Sequence, residues 1–149
     1  MIGAKNGIEL IEPNERLAKA YIGKAESSLK ASQSLKDNRE WRISSLYYTM
    51  YFSVYAILMR IGVKCEIHSC TISFAKAFLN QYLDEDEISF LKRAMKARID
   101  TQYYTDKDVP DTFYREMIDK AAHYMTKCKD IISMIPEKNI MEIRDGLHG

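Results

Sequence analysis

Arg98 is the residue whose position most invites a chemical reading. Ile88, Leu91, Met95, Arg98 and Gln102 follow one another at steps of three or four, so they share one face of a helix. Cations that only keep a helix in solution belong on the opposite side, where Lys92, Arg93 and Lys96 fall. A guanidinium on an apolar stripe is costly unless something meets it. In one reading its stem covers apolar surface while its head reaches water or pairs with Asp100 or Asp106. In the other it presents a fork of donors in a cleft, aimed at a phosphate. Residue types and spacing alone leave both open.

Other chemistries find little footing. His68, His123 and His148 are far apart, and neither an HExxH nor a CxxC spacing occurs. The Glu-x-x-His pairs of a di-iron bundle are absent, as is a glycine-rich phosphate loop. No metal and no cofactor are expected. Cys65, Cys70 and Cys128 are odd in number and read as small apolar fillers, reduced in a cytoplasmic protein. Tyr47, Tyr51 and Tyr55 form a ladder at steps of four, with Tyr48 and Phe52 beside it. Core or dimer packing is favoured over base stacking for these rings, because stacking needs exposed faces.

The elements that must position these groups are helical. The chain has 149 residues, is 46% hydrophobic and 29% charged, and carries only six glycines and three prolines. A chain of this length suggests one domain able to bury a sizeable core. Its net charge of +1 argues against a general nucleic-acid coat protein, but not against a local phosphate site. Residues 1–12 are expected to be a loose leader, 13–136 the helical domain, and 137–149 a loosely attached tail. A first helix opens after Asn14, a reasonable N-cap. A second, from Glu40 to Ile61, is apolar nearly all round and stopped by Gly62. Its run from Ile43 to Met59 carries no charge, yet its serines, threonine and tyrosines favour a buried bundle helix over a membrane span. A shorter helix is expected over Ser69–Leu83, a fourth carries Arg98, and a fifth runs from an Asp111 cap to Ile135 before Pro136. The expected fold is all-α, an antiparallel up-and-down bundle of four to five helices.

The stretch "SSLYYTMYFSVYAILMRIGVKCEIHSCTISFAKAF" resembles the core of the HEPN domains. The similar features are the Tyr47-Tyr48 pair in an apolar helix, Gly62 at its end, His68 opening the next segment, and Phe74 and Phe78 after it. Arg98 followed by Tyr103 resembles the Arg…Asp-Tyr stretch of the stand-alone prokaryotic branch. The resemblance implies a helical homodimer, often partnered by a minimal nucleotidyltransferase in toxin–antitoxin or defence pairs. Many members are metal-independent ribonucleases that use an arginine and, four to six residues on, a histidine at the dimer seam. Arg98 matches the arginine, but the histidine positions hold Tyr103, Tyr104 and Thr105, and Gln102 stands where related chains often carry Asp. Tyrosine, with a pKa near 10, is a poor general base beside imidazole near 6.5. The leading expectation is therefore a non-catalytic protein that binds a nucleotide or RNA phosphate, or a nucleotidyltransferase partner. Arg98, Gln102, Tyr103, Tyr104 and His68 are its candidate binding residues. The alternatives are a divergent ribonuclease built on Arg98 and Tyr103, helped by His68 or His123 from another helix, and a plain interaction module.

Overall fold

The computed structural model describes residues 7–147. Six helices make up most of them: α1 (Glu15–Ser34), α2 (Arg39–Ile61), α3 (His68–Phe78), α4 (Glu85–Tyr103), α5 (Asp111–Met134) and α6 (Glu137–Gly146). Two short strands, β1 (Ile8–Leu10) and β2 (Val63–Cys65), pair antiparallel with Ile8 opposite Cys65. The fold is an all-α bundle, as the periodicity predicts, with one helix more than expected.

Helix α2 is the axis of the molecule. Asn38 caps it by accepting from the Trp41 N–H at 3.3 Å. From Ile43 onward most of its side chains are buried, and Tyr47, Met50, Val54, Ile57 and Leu58 are fully so. The uncharged run from Ile43 to Met59 has no face to give to water, so α1, α4 and α5 cover it. Helix α1 begins where Asn14 accepts from the Leu17 N–H at 2.9 Å, which is the expected cap. Among the described residues no helix is long and apolar enough to cross a membrane.

Helix α2 ends at Gly62, whose φ of +89° is a left-handed conformation that glycine alone adopts cheaply. The place is also crowded. A Cβ there would stand 2.3 Å from Arg144 Nη1, 2.5 Å from the Ile11 carbonyl oxygen and 2.8 Å from the Pro13 nitrogen. Arg144, on α6, donates through Nη1 to the carbonyls of Ile11 (2.7 Å), Ile61 (3.1 Å) and Gly62 (2.8 Å). Buried Arg60 lies close by and pairs with Glu15 at 3.5 Å and Glu137 at 3.0 Å.

Two segments expected to be loose therefore carry structure. Residues 1–6 lie outside the described residues, but Ile8 is buried and β1 pairs with β2. The strands have three residues each, too few for an alternation to register in the sequence. In the expected tail, Ile140, Ile143 and Leu147 bury the inner face of α6. The expected third helix stops early, at Phe78, and a turn leads to α4. Pro110, not Asp111, occupies the cap position of α5. Asp111 is instead the first helical residue, and its carboxylate pairs with Arg39.

Candidate functional site

Helix α4 is fixed at its start by a capping box. Asp84 accepts from the Glu87 N–H at 2.8 Å, and the Glu87 side chain accepts from the Asp84 N–H at 2.9 Å. From there Phe90, Leu91, Ala94 and Ala97 bury one face. The stripe that holds Arg98 is not uniformly inward. Ile88 and Leu91 are buried, Met95 and Arg98 half-buried and Gln102 exposed, so the row rises out of the core as the helix proceeds. Arg98 stands at that rim.

Its surroundings settle which acids hold it. Asp100 is turned the other way and bound to Lys96 and, at 3.7 Å, Lys107. The Lys96 hydrogen bond, with both lysine charges, holds its carboxyl below the usual range. Among the described residues no carboxylate lies within ion-pair distance of Arg98. Its Nε donates to Gln102 Oε1 at 3.1 Å, and its guanidinium carbon lies 5.2 Å from the ring centre of Tyr48 and 5.8 Å from that of Tyr47. Aromatic faces attract a cation without neutralising it.

His68, at the start of α3, comes to the same pair of tyrosines. Its Nδ1 is 2.7 Å from the Tyr47 hydroxyl, and its ring stacks on Tyr51 with centres 3.9 Å apart. Tyr51 is held in turn by Thr71, 3.1 Å away, and Tyr55 accepts the Cys65 N–H at 3.3 Å. The tyrosine ladder is thus mainly packing, as expected, but it also sets the imidazole. Burial, and then the positive charge of Arg98, pull the His68 pKa below its ordinary value, so the ring is neutral at pH 7. Burial pushes the Tyr47 phenol far above its ordinary value, so its proton stays on.

Two arrangements of protons fit this contact. If the Tyr47 hydroxyl donates to Nδ1, Nε2 carries the ring proton and is a donor. If Nδ1–H donates to the phenol oxygen, Nε2 is a free base. The first adds a donor beside a guanidinium and suits phosphate binding. The second suits proton transfer.

The sequence-derived candidates thus divide. Arg98, His68 and Gln102 come together, with Tyr47 and Tyr48 as their platform. Tyr103 and Tyr104 are exposed and line an adjoining hollow at the end of α4, with Gln102 between the two places. His123 is exposed on α5, beside Glu87, Phe90 and Lys120, and His148 lies outside the described residues. Among the described residues no cluster of His, Cys, Asp or Glu could hold a metal ion. The role of Tyr47 as holder of the imidazole was missed. Its only sequence signal was a tyrosine in a helix interior that needs a polar partner.

Residues 18–135 match the family described as HEPN domain, a span from α1 through α5 that includes every residue of this cluster. A protein of Methanocaldococcus jannaschii that bears the name "Putative toxin MJ0142" is 26% identical over 132 residues, which are 86% of this chain and 88% of the relative.

Proposed function

The chain belongs to the HEPN domain family, and from that premise we propose that it is a toxin-like, cytoplasmic member that binds a phosphate of RNA or of a nucleotide at Arg98. One observation carries the reading. A half-buried guanidinium, with no carboxylate in reach among the described residues, is held by an amide and two aromatic faces beside a neutral imidazole. Gln102 occupies Nε and so orients the fork, leaving the terminal nitrogens to an incoming phosphate. The Nε2–H of His68 supplies a further donor. Half-buried Tyr48 and Phe52 leave an aromatic surface next to Arg98, which supports a homodimer with the cluster near its seam. A nucleotidyltransferase partner belongs to the same proposal, of which the relative's name supports only the toxin part.

A second reading has a specific observation in its favour. The proton acceptor missing from the stretch after Arg98 has a replacement in His68. As a base, Nε2 would take the RNA 2′-hydroxyl proton, the 2′-oxygen would attack phosphorus to close a 2′,3′-cyclic phosphate, and the 5′-oxygen would leave as a hydroxyl, taking a proton from water. Arg98 would hold the phosphate oxygens as charge builds on them.

Incubation with mixed RNA in EDTA, followed by RNA titration of wild type and variants, separates the readings. Binding without cleavage is expected, with Arg98→Ala weakening affinity about ten- to a hundredfold through loss of charge-assisted contacts. Arg98→Lys should recover part of it. Cleavage that disappears in both Arg98→Ala and His68→Gln would establish the ribonuclease instead. Binding unaltered by Arg98→Ala would defeat both.

A further inference from the structure

Of the ten tyrosines, only Tyr103 and Tyr104 are exposed, at 65% and 46%. They follow each other where α4 ends, and Tyr104 already has the extended backbone of the departing loop. Both line a hollow of about 460 Å³ between that loop and the start of α2, floored by buried Ile43 and Val109. The volume suits one or two nucleobases and falls within the ordinary range of small-molecule sites.

The charges around this hollow show what it would accept. Its cations are already engaged. Arg39 bonds Asp111 and the Val109 carbonyl and lies over the Tyr114 ring, while Lys107 pairs with Asp100 and sits 4.3 Å from the centre of the Tyr104 ring. Glu40 and Asp108 also face the hollow, and neither forms an ion pair among the described residues. A second phosphate would meet two carboxylates there. A neutral base would meet the Tyr103 ring and the side of the Tyr104 ring that Lys107 leaves free, an apolar floor and acceptors for an exocyclic amino group. Gln102 lines this hollow and also holds Arg98 Nε, so the base site and the phosphate site share a wall.

Resting on the phosphate reading above, we infer that the ligand is single-stranded RNA, with its phosphate at Arg98 and a neighbouring unpaired base stacked on Tyr103 and Tyr104. A duplex keeps its base faces covered and cannot use such a platform.

The test is fluorescence anisotropy with three probes. They are a labelled unpaired RNA oligomer, the same sequence as a duplex, and an abasic ribose-phosphate oligomer of equal length. Wild type should prefer the unpaired RNA. The double variant Tyr103→Ala, Tyr104→Ala should lose about tenfold or more on that probe and nothing on the abasic one. Tyr103→Phe, Tyr104→Phe should bind as wild type, because the ring faces remain. Arg98→Ala should weaken all three. Unpaired RNA bound equally by wild type and the double alanine variant, with Arg98→Ala still weakened, would overturn the stacking inference and leave the phosphate site standing. An equal loss on the abasic probe would also overturn it. A loss confined to the tyrosine variants would instead remove the phosphate reading and keep the platform.

Discussion

Arg144 and Arg98 are both half-buried arginines, and the two regions around them use that charge in opposite ways. At the Gly62 end of α2, Arg144 Nη1 meets three backbone carbonyls and Arg60 meets two carboxylates. At the rim of α4, Arg98 meets one amide and two rings. The first environment turns terminal nitrogens onto carbonyls and carboxylates and ties down backbone. The second positions the donors and leaves them available. Burial alone does not separate a structural arginine from a binding one. The identity of the acceptors does.

That contrast can be broken most forcefully at Gly62. Gly62→Ala sets a side chain into a left-handed backbone and against Arg144, Ile11 and Pro13, so unfolding free energy should fall by about 3–5 kcal/mol in urea denaturation. Arg144→Ala keeps the glycine but leaves its carbonyls without their donor. A loss of about 2–3 kcal/mol is expected, with RNA affinity unchanged in the folded fraction. Arg98→Ala should reverse the pattern. It gives up cation–π contacts at the rim of the bundle, so stability should change by less than about 1 kcal/mol while RNA affinity falls. A large stability loss there, with binding intact, would place Arg98 beside Arg144 as a structural residue.

The smallest effect concerns His68. Its folded pKa lies below the unfolded value near 6.5, so the unfolded chain binds more protons as the solution is acidified. The stability due to its neutral form is present above that value and is lost as pH falls from about 6.5 toward the folded pKa. Comparing urea midpoints at about pH 7.5 and about pH 5.5, His68→Gln should show a shallower drop than wild type.

How far the sequence could be read follows from the range of each interaction. The uncharged run of α2 and the stop at Gly62 are local patterns, and both were legible. Arg98 was legible as an anomaly, because it breaks a helical stripe within its own element. The approach of His68 was not. It depends on where β2 and α3 carry the chain after Gly62, and β2 owes its pairing to residues some 55 positions earlier. Helix α6 had a usable signal in Ile140, Ile143 and Leu147, at steps of three and four, but its many charges concealed it. Tyr103 and Tyr104 were legible as candidate binding residues, but the hollow they line was not, because its other wall is the start of α2.

The hydrogen bond from Arg144 to the Ile11 carbonyl also has a meaning in time. It joins positions 133 residues apart, among the widest loops this chain can close. Contacts of such separation bring loop-closure entropy to be overcome before they return any stabilisation, so they form late in folding. The helices of the bundle can assemble from nearer neighbours, such as α1 and α2, which pack on each other. Arg144 is therefore expected to act as a latch that shuts after the bundle has formed and is among the first parts to reopen. Amide exchange of the strands that adjoin its carbonyl acceptors, Ile8 to Leu10 and Val63 to Cys65, should therefore run ahead of exchange in the middle of α2.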